Sequence, residues 1–144
     1  MDDGAIREDL RRRIDASPFH AGFGITVEGA RSGEVRLGWE ARGEHRNLQG
    51  LVHGGVLATL VDIAMGLAVR TAVGPGRRHV TIELTVHYLR PTAPGRIEAV
   101  GTTLRVGSQI AFAEGSVVDA SGRVLVRASG TYSVTTEREP GAAG

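Results

Sequence analysis

The hydrophobic positions follow two different periods, and the places where one gives way to the other outline the fold. Ile6, Leu10 and Ile14 recur at i, i+4 and i+8, which predicts a short amphipathic helix over residues 5–15. Ser17-Pro18 stops it, because proline lacks an amide hydrogen and restricts the residue before it. Gly24 to Glu28 and Gly33 to Trp39 alternate with β-branched residues on either side of Arg31-Ser32 and predict a hairpin. Residues 41–50 are polar, glycine-punctuated and without period, which predicts a loop. From Gly54 to about Val73 the chain is apolar on almost every side. That predicts a helix buried over most of its surface, ended by Gly74-Pro75-Gly76.

The second half turns to period two. Val80, Ile82, Leu84, Val86 and Tyr88 alternate strictly with more polar neighbours. Pro91 and Pro94-Gly95 interrupt the pattern, and strands are predicted again over Ile97 to Val106, Ile110 to Val118 and Val124 to Val134. Gly107-Ser108 and Asp119-Ala120-Ser121-Gly122 supply turn chemistry between them. The order is therefore two strands, one long helix and four strands, within a single domain over residues 1–136. The tail 137–144 offers only alanine to a core and is expected to be disordered. A helix this apolar cannot leave a broad face in water, and an antiparallel sheet curled around it is the simplest way to bury it. The predicted fold is thus α+β of the hotdog type, with a short N-terminal helix.

Composition narrows the chemistry. At 144 residues with 41% hydrophobic content, the chain is one core-forming domain and not a disordered polypeptide. A net charge of +1 gives no field directed at nucleic acid or anionic lipid, and no such partner is expected. The absence of cysteine excludes disulfides, thiolate nucleophiles and cysteine-bound zinc. Met1-Asp2-Asp3 is acidic where a secretory signal is positive, and the apolar run Leu51 to Val73 carries His53, Asp62 and Arg70. A cytoplasmic protein with a buried helix is expected. The five histidines show no ligand spacing, so no metal is expected, and no nucleophile elbow, phosphate loop or dinucleotide fingerprint occurs. The triplet Arg11-Arg12-Arg13 reads as a solvated helix face.

The chemically informative stretch runs from Asn47 through His53, Gly54 and Gly55 to Asp62. Gly54 and Gly55 open a helix, where the first amides lack intrahelical acceptors and the dipole is positive, so the pair can form an oxyanion hole or simply permit close helix packing. Asp62 is a carboxylate among Leu60, Val61, Ile63 and Ala64, and is either bonded locally or used in chemistry. Asn47 is a turn former that can also hold a water or orient the carboxylate. Gly54 and Asp62 lie eight residues, about 12 Å, apart on one helix. One carbonyl cannot touch both. If both serve one reaction, Asp62 comes from a second chain whose helix runs antiparallel alongside, which predicts a homodimer with shared sites or a homotetramer built from it.

The segment resembles the acyl-CoA thioesterases of the hotdog superfamily, in the branch related to the phenylacetate-pathway thioesterase PaaI. The likeness rests on Asn47, the His53-Gly54-Gly55 helix start, Asp62, Val80-Thr81-Ile82-Glu83-Leu84, Tyr88-Leu89-Arg90-Pro91, Gly95, Asp119 to Gly122 and Gly130-Thr131-Tyr132, over roughly residues 17–135. The resemblance implies that the Gly54 amide polarises a thioester carbonyl and that Asp62 attacks or activates water. It further implies that Asn47 and Thr81 position water, and that His53 and Gly55 shape the site. Acyl-CoA would lie along the dimer interface with its pantetheine arm near Val106-Gly107-Ser108, CoA arriving as part of the substrate and no separate cofactor being needed. Many relatives carry a basic residue where this chain has Ser108, so Arg90, Arg105 and Arg123 become the candidates for the CoA phosphates. The carrier stays open between CoA and an acyl carrier protein. Pro18, Phe19 and Phe23 are candidates for one wall of the acyl pocket. Glu83 and His87 share the polar side of their strand with Thr81 and Thr85, where solvation or interface contacts are the simpler use for them than acid–base chemistry. The alternatives are a hotdog hydratase or dehydratase and a non-catalytic acyl-CoA-binding domain.

Overall fold

The computed structural model describes residues 1–137. Helix α1 (Asp3–Ala16) is capped by Asp2, whose carboxylate accepts from the Ala5 amide at 2.9 Å, and it buries Ile6, Leu10 and Ile14. Ser17-Pro18 ends α1 as expected, but the proline also begins a second helix, α2 (Pro18–Phe23). Proline is at home in a first helical turn, where its missing amide hydrogen has no acceptor to lose. The first strand accordingly starts later than the alternation suggests. Gly24, at φ 84°, is the left-handed cap of α2, and β1 (Thr26–Arg31) follows it. β2 (Glu34–Ala41) completes the hairpin and places the buried Trp39 beneath α2. The Trp39 Nε1–H donates to the Phe23 carbonyl at 2.7 Å and the two rings stack at 4.9 Å. Phe23 thus belongs to the packing of α2 on β2, whereas Phe19 is exposed.

The long helix α3 (Gly54–Val73) lies across the concave face of a six-stranded antiparallel sheet. Its other strands are β3 (Arg77–Tyr88), β4 (Gly95–Val106), β5 (Ile110–Asp119) and β6 (Val124–Thr136), in the spatial order β1-β2-β4-β5-β6-β3. By length and composition alone α3 could cross a membrane, yet Leu60, Val61, Ala64, Met65, Ala68 and Val69 are fully enclosed by the sheet. The approach is close enough that a methyl group on Gly101 of β4 would collide with the Ala64 carbonyl. Sheet and helix together are the hotdog arrangement. Thr136, the last residue of the expected domain, pairs with Arg77 at the end of β6. The Glu137 amide then donates to the Gly76 carbonyl at 2.9 Å, so the one described residue of the expected tail is held against the fold. Residues 138–144 lie outside the described residues.

The strict alternation of β3 conceals one irregularity. Its register against β6 shifts between Thr81 and Glu83, so Ile82 is the extra residue of a β-bulge. Before the bulge His79 and Thr81 pair with the buried Val134 and Tyr132 on the helix side, and Val80 and Ile82 point outward at 64% and 59% exposure. After it Leu84 and Val86 pack on the core instead. Thr81 is therefore parted from Glu83, Thr85 and His87, which stay on the outer face. A bulge inverts the phase of everything beyond it, and a period-two pattern cannot reveal one.

Candidate active site

The first turn of α3 is built almost wholly by backbone. His53 caps it with extended geometry (φ −62°, ψ 133°), and its Nδ1 accepts from the Gly55 amide at 2.9 Å. The His53 carbonyl accepts from Val56 and Leu57 at 3.0 and 3.3 Å. Among the described residues only the Gly54 amide of this turn is left without an acceptor. It sits at the positive end of a 20-residue helix. Tyr88 closes over the same turn, its hydroxyl donating to the Gly54 carbonyl at 2.8 Å. A Cβ at position 54 would stand 3.2 Å from the Tyr88 ring, so any other residue would make that exposed side chain give by a few tenths of an ångström. An open cleft of about 550 Å³, lined by Arg46, Asn47, Leu48, Gln49, His53 and Gly54, borders this helix start.

Asn47 spends its carboxamide oxygen within its own loop, accepting from Gln49 and Leu51 amides at 3.0 and 3.1 Å. It shapes the approach to the helix, with only its Nδ2 left to reach outward. It does not touch Asp62 within the chain.

Two turns further on, the surroundings change from backbone to side chains. The half-buried Asp62 carboxylate accepts two hydroxyl hydrogens on one oxygen: Thr81 Oγ1 donates to Oδ1 at 3.1 Å, and the Tyr132 hydroxyl donates to the same Oδ1 at 3.1 Å. Tyr132 is fully buried, and burial first, then the charge and hydrogen bond of Asp62, push its hydroxyl well above the ordinary tyrosine range. It therefore stays protonated and donates. His79 lies beside it, ring centroids 6.1 Å apart. Burial lowers its pKa from the ordinary histidine value, aided by the charge of Arg70 and opposed by that of Asp62. Neither Tyr132 nor His79 stands out in the sequence as a site residue. The available signal was phase: Ala128, Gly130, Tyr132 and Val134 alternate into the core, and a hydroxyl on that face needs an acceptor.

The turn Val106-Gly107-Ser108 sits at the end of the sheet where β3 begins. Gly107 donates to the Ile110 carbonyl at 2.7 Å, and Arg77 donates from its guanidinium to the Ser108 carbonyl at 2.6 Å. Of the three arginines expected near CoA, Arg90 and Arg123 stand at the opposite ends of β3 and β6, the first bonded to the Val124 carbonyl and the second paired with Asp119. Arg105 alone is close to the turn, exposed on β4. Arg77, held against Ser108, is an arginine at a strand start, a position that carries no distinguishing pattern in the sequence.

This pairing of a free helix-start amide with a hydroxyl-held carboxylate occurs on a recognisable chain. The profile of the thioesterase superfamily matches residues 49–126, which include Gly54, Asp62 and Thr81 but neither Asn47 nor Tyr132. The chain belongs to that superfamily. Over 101 residues it is 48% identical to a Halobacterium salinarum protein provisionally named an esterase, a match covering 67% of this chain and 66% of that one. It is 29% identical over 128 residues to human acyl-coenzyme A thioesterase 13, covering 85% of this chain and 89% of the relative. Among solved structures, a mutant of the phenylacetic acid degradation protein PaaI from Thermus thermophilus superposes with a TM-score of 0.74 at 31% identity, covering 81% of this chain and 98% of that one.

Proposed function

We propose that the protein is an acyl-CoA thioesterase that works as a dimer, each site combining the Gly54 amide of one chain with Asp62 of the other. The observation that carries this is the Asp62 carboxylate, held by two hydroxyls on one oxygen and half-open to solvent on a helix that begins in an unsatisfied amide. The Gly54 N–H donates to the thioester oxygen as it becomes an oxyanion. Asp62 either takes a proton from water, which then attacks the carbonyl carbon, or attacks that carbon itself and is freed by water. In both routes the C–S bond breaks, the thiolate leaves with a proton, and the products are a free acid and CoA. Thr81 orients the carboxylate, while His53 and Gly55 set the helix start.

The arrangement of β3 supports the shared site. It is an edge strand of 12 residues, and one of its sides is unpaired in the single chain. Gly54 is tied to Tyr88 of β3 and Asp62 to Thr81, and these two strand positions face Val126 and Tyr132 of β6. The point midway between them is Ser129, whose partner is Thr85. Two copies of β3 paired antiparallel about Thr85 therefore bring Gly54 of each level with Asp62 of the other. The same symmetry sets exposed Val80 and Ile82 opposite exposed Leu89 and Tyr88. An apolar edge strand is seldom left open.

The experiment is thiol release from short, long and aromatic acyl-CoAs, read with a chromogenic disulfide reagent that meets no cysteine in the protein. Release abolished in Asp62→Ala supports the proposal. Absence of release across the panel, or hydration of an enoyl thioester without thiol release, contradicts it.

A further inference from the structure

We infer that Tyr132 is a positioning residue that commits one particular oxygen of Asp62 to the reaction. The inference rests on the thioesterase reading of Asp62 and deepens it. Thr81 and Tyr132 reach the carboxylate from neighbouring strands, and both donate to Oδ1, leaving Oδ2 with no donor among the described residues. A carboxylate so held keeps Oδ1 as an acceptor of fixed hydrogen bonds. The water, or the thioester carbon, meets Oδ2.

The slot for Tyr132 is purpose-made. Its ring lies back along β6 over Gly130, where a Cβ would stand 2.8 Å from the ring. On the helix side it is flanked by Gly66, one turn beyond Asp62, where a Cβ would come within 3.4 Å of His79 and 3.8 Å of Tyr132. Both are ordinary contact distances, so Gly66 leaves room beside the ring while the tight fit is set by Gly130. The titratable and charged groups around the carboxylate are Tyr132 on β6 and His79 on β3, with Arg70 of α3 beyond His79. Burial favours the neutral form of His79, so the two hydroxyls are the donors that fix the orientation of the Asp62 carboxylate.

The test compares wild type, Tyr132→Phe, Thr81→Val, Thr81→Ser and Asp62→Ala by thiol release, with the acyl-CoA that wild type turns over fastest. Tyr132→Phe keeps the ring and removes only the donor. Its kcat is expected to fall about tenfold with KM nearly unchanged, since a lost donor frees the carboxylate to turn. Thr81→Val lowers kcat with the same unchanged KM and Thr81→Ser restores it; this pair tests the held oxygen if Tyr132→Phe fails to fold. An inactive Asp62→Ala beside an unchanged kcat in the folded donor variants overturns the role of Tyr132 and leaves the thioesterase reading standing. An active Asp62→Ala overturns both.

Discussion

At its first turn α3 offers a backbone donor, and two turns later it offers a side-chain acceptor. The donor is made by capping: His53 satisfies the amides around it and leaves Gly54 free. The acceptor is made by tertiary packing, since Thr81 and Tyr132 come from strands 19 and 70 residues from Asp62. The first half-site depends on a few consecutive residues, the second on the sheet being complete and on the bulge at Ile82 that turns Thr81 toward the helix. The two differ in sign and lie too far apart on one helix to meet on one carbonyl, which is why the proposed reaction calls on a second copy.

The largest effects are expected from removing either half. Asp62→Ala should lower kcat by about 10³-fold without unfolding the protein, because in either proposed route it removes the group that activates water or attacks the carbon. Gly54→Pro should lower it by about 10²–10³-fold through loss of a single donor. Proline suits the first helical position, the extended His53 backbone already fits a following proline, and the exposed Tyr88 ring has only to give by a few tenths of an ångström, so circular dichroism should stay that of wild type. If Gly54→Pro turns over normally, the helix start is only a packing device.

Next comes the geometry that joins the halves. With no native cysteine, Thr85→Cys gives each chain one thiol, and at an antiparallel two-fold axis the strand faces itself with Cα atoms about 4.5–5.5 Å apart. Mild oxidation should yield a disulfide dimer on a non-reducing gel. A monomer band alone would move the axis or the interface elsewhere.

The acceptor half should be the more sensitive to pH. The folded pKa of His79 is lowered, so below about pH 6.5 the unfolded chain binds a proton that the folded chain resists. Its contribution is fully present at neutral pH and is lost as pH falls through that value, at no more than about 1.4 kcal/mol per pH unit. Tm measured from pH 8 to 5 should show the decline, and His79→Gln should flatten it. The Asp119 carboxyl, held down to about 2 by Ser121 and Arg123, acts in a separate window below about pH 4. The smallest change is Asn47→Asp, which keeps an oxygen for the Gln49 and Leu51 amides and exchanges the Nδ2 donor for a charged oxygen. Unchanged Tm with reduced kcat would give Nδ2 a part in the reaction; unchanged values of both would leave Asn47 as a turn residue.

Much of this was legible in the sequence, and the contrast between the half-sites explains why the rest was not. The elements from α3 onward follow from periodicity and turn residues, because one apolar helix demands a sheet around it. The Gly54 half-site is local and was readable as a helix start. Asp62 and Thr81 were readable as chemistry, but their contact was not. It depends on a bulge that leaves the alternation of β3 intact in sequence, and Glu83 was for that reason grouped with Thr81 on one face. Tyr132 was hidden because an aromatic residue in an inward phase looks like core, and it is core in all but its hydroxyl. The start of α2 was missed because Pro18 serves as both stop and start.

The shared site is tested most directly by complementation. Asp62→Ala and Gly54→Pro chains, each inactive alone, are unfolded, mixed in equal amounts and refolded together. A dimer that pairs Gly54 of one chain with Asp62 of the other regains one intact site in each mixed pair, and thiol release should return to about one quarter of the wild-type rate. A mixture as silent as its two components would show that both groups must lie on one chain, and the account of a site divided between two copies would be wrong.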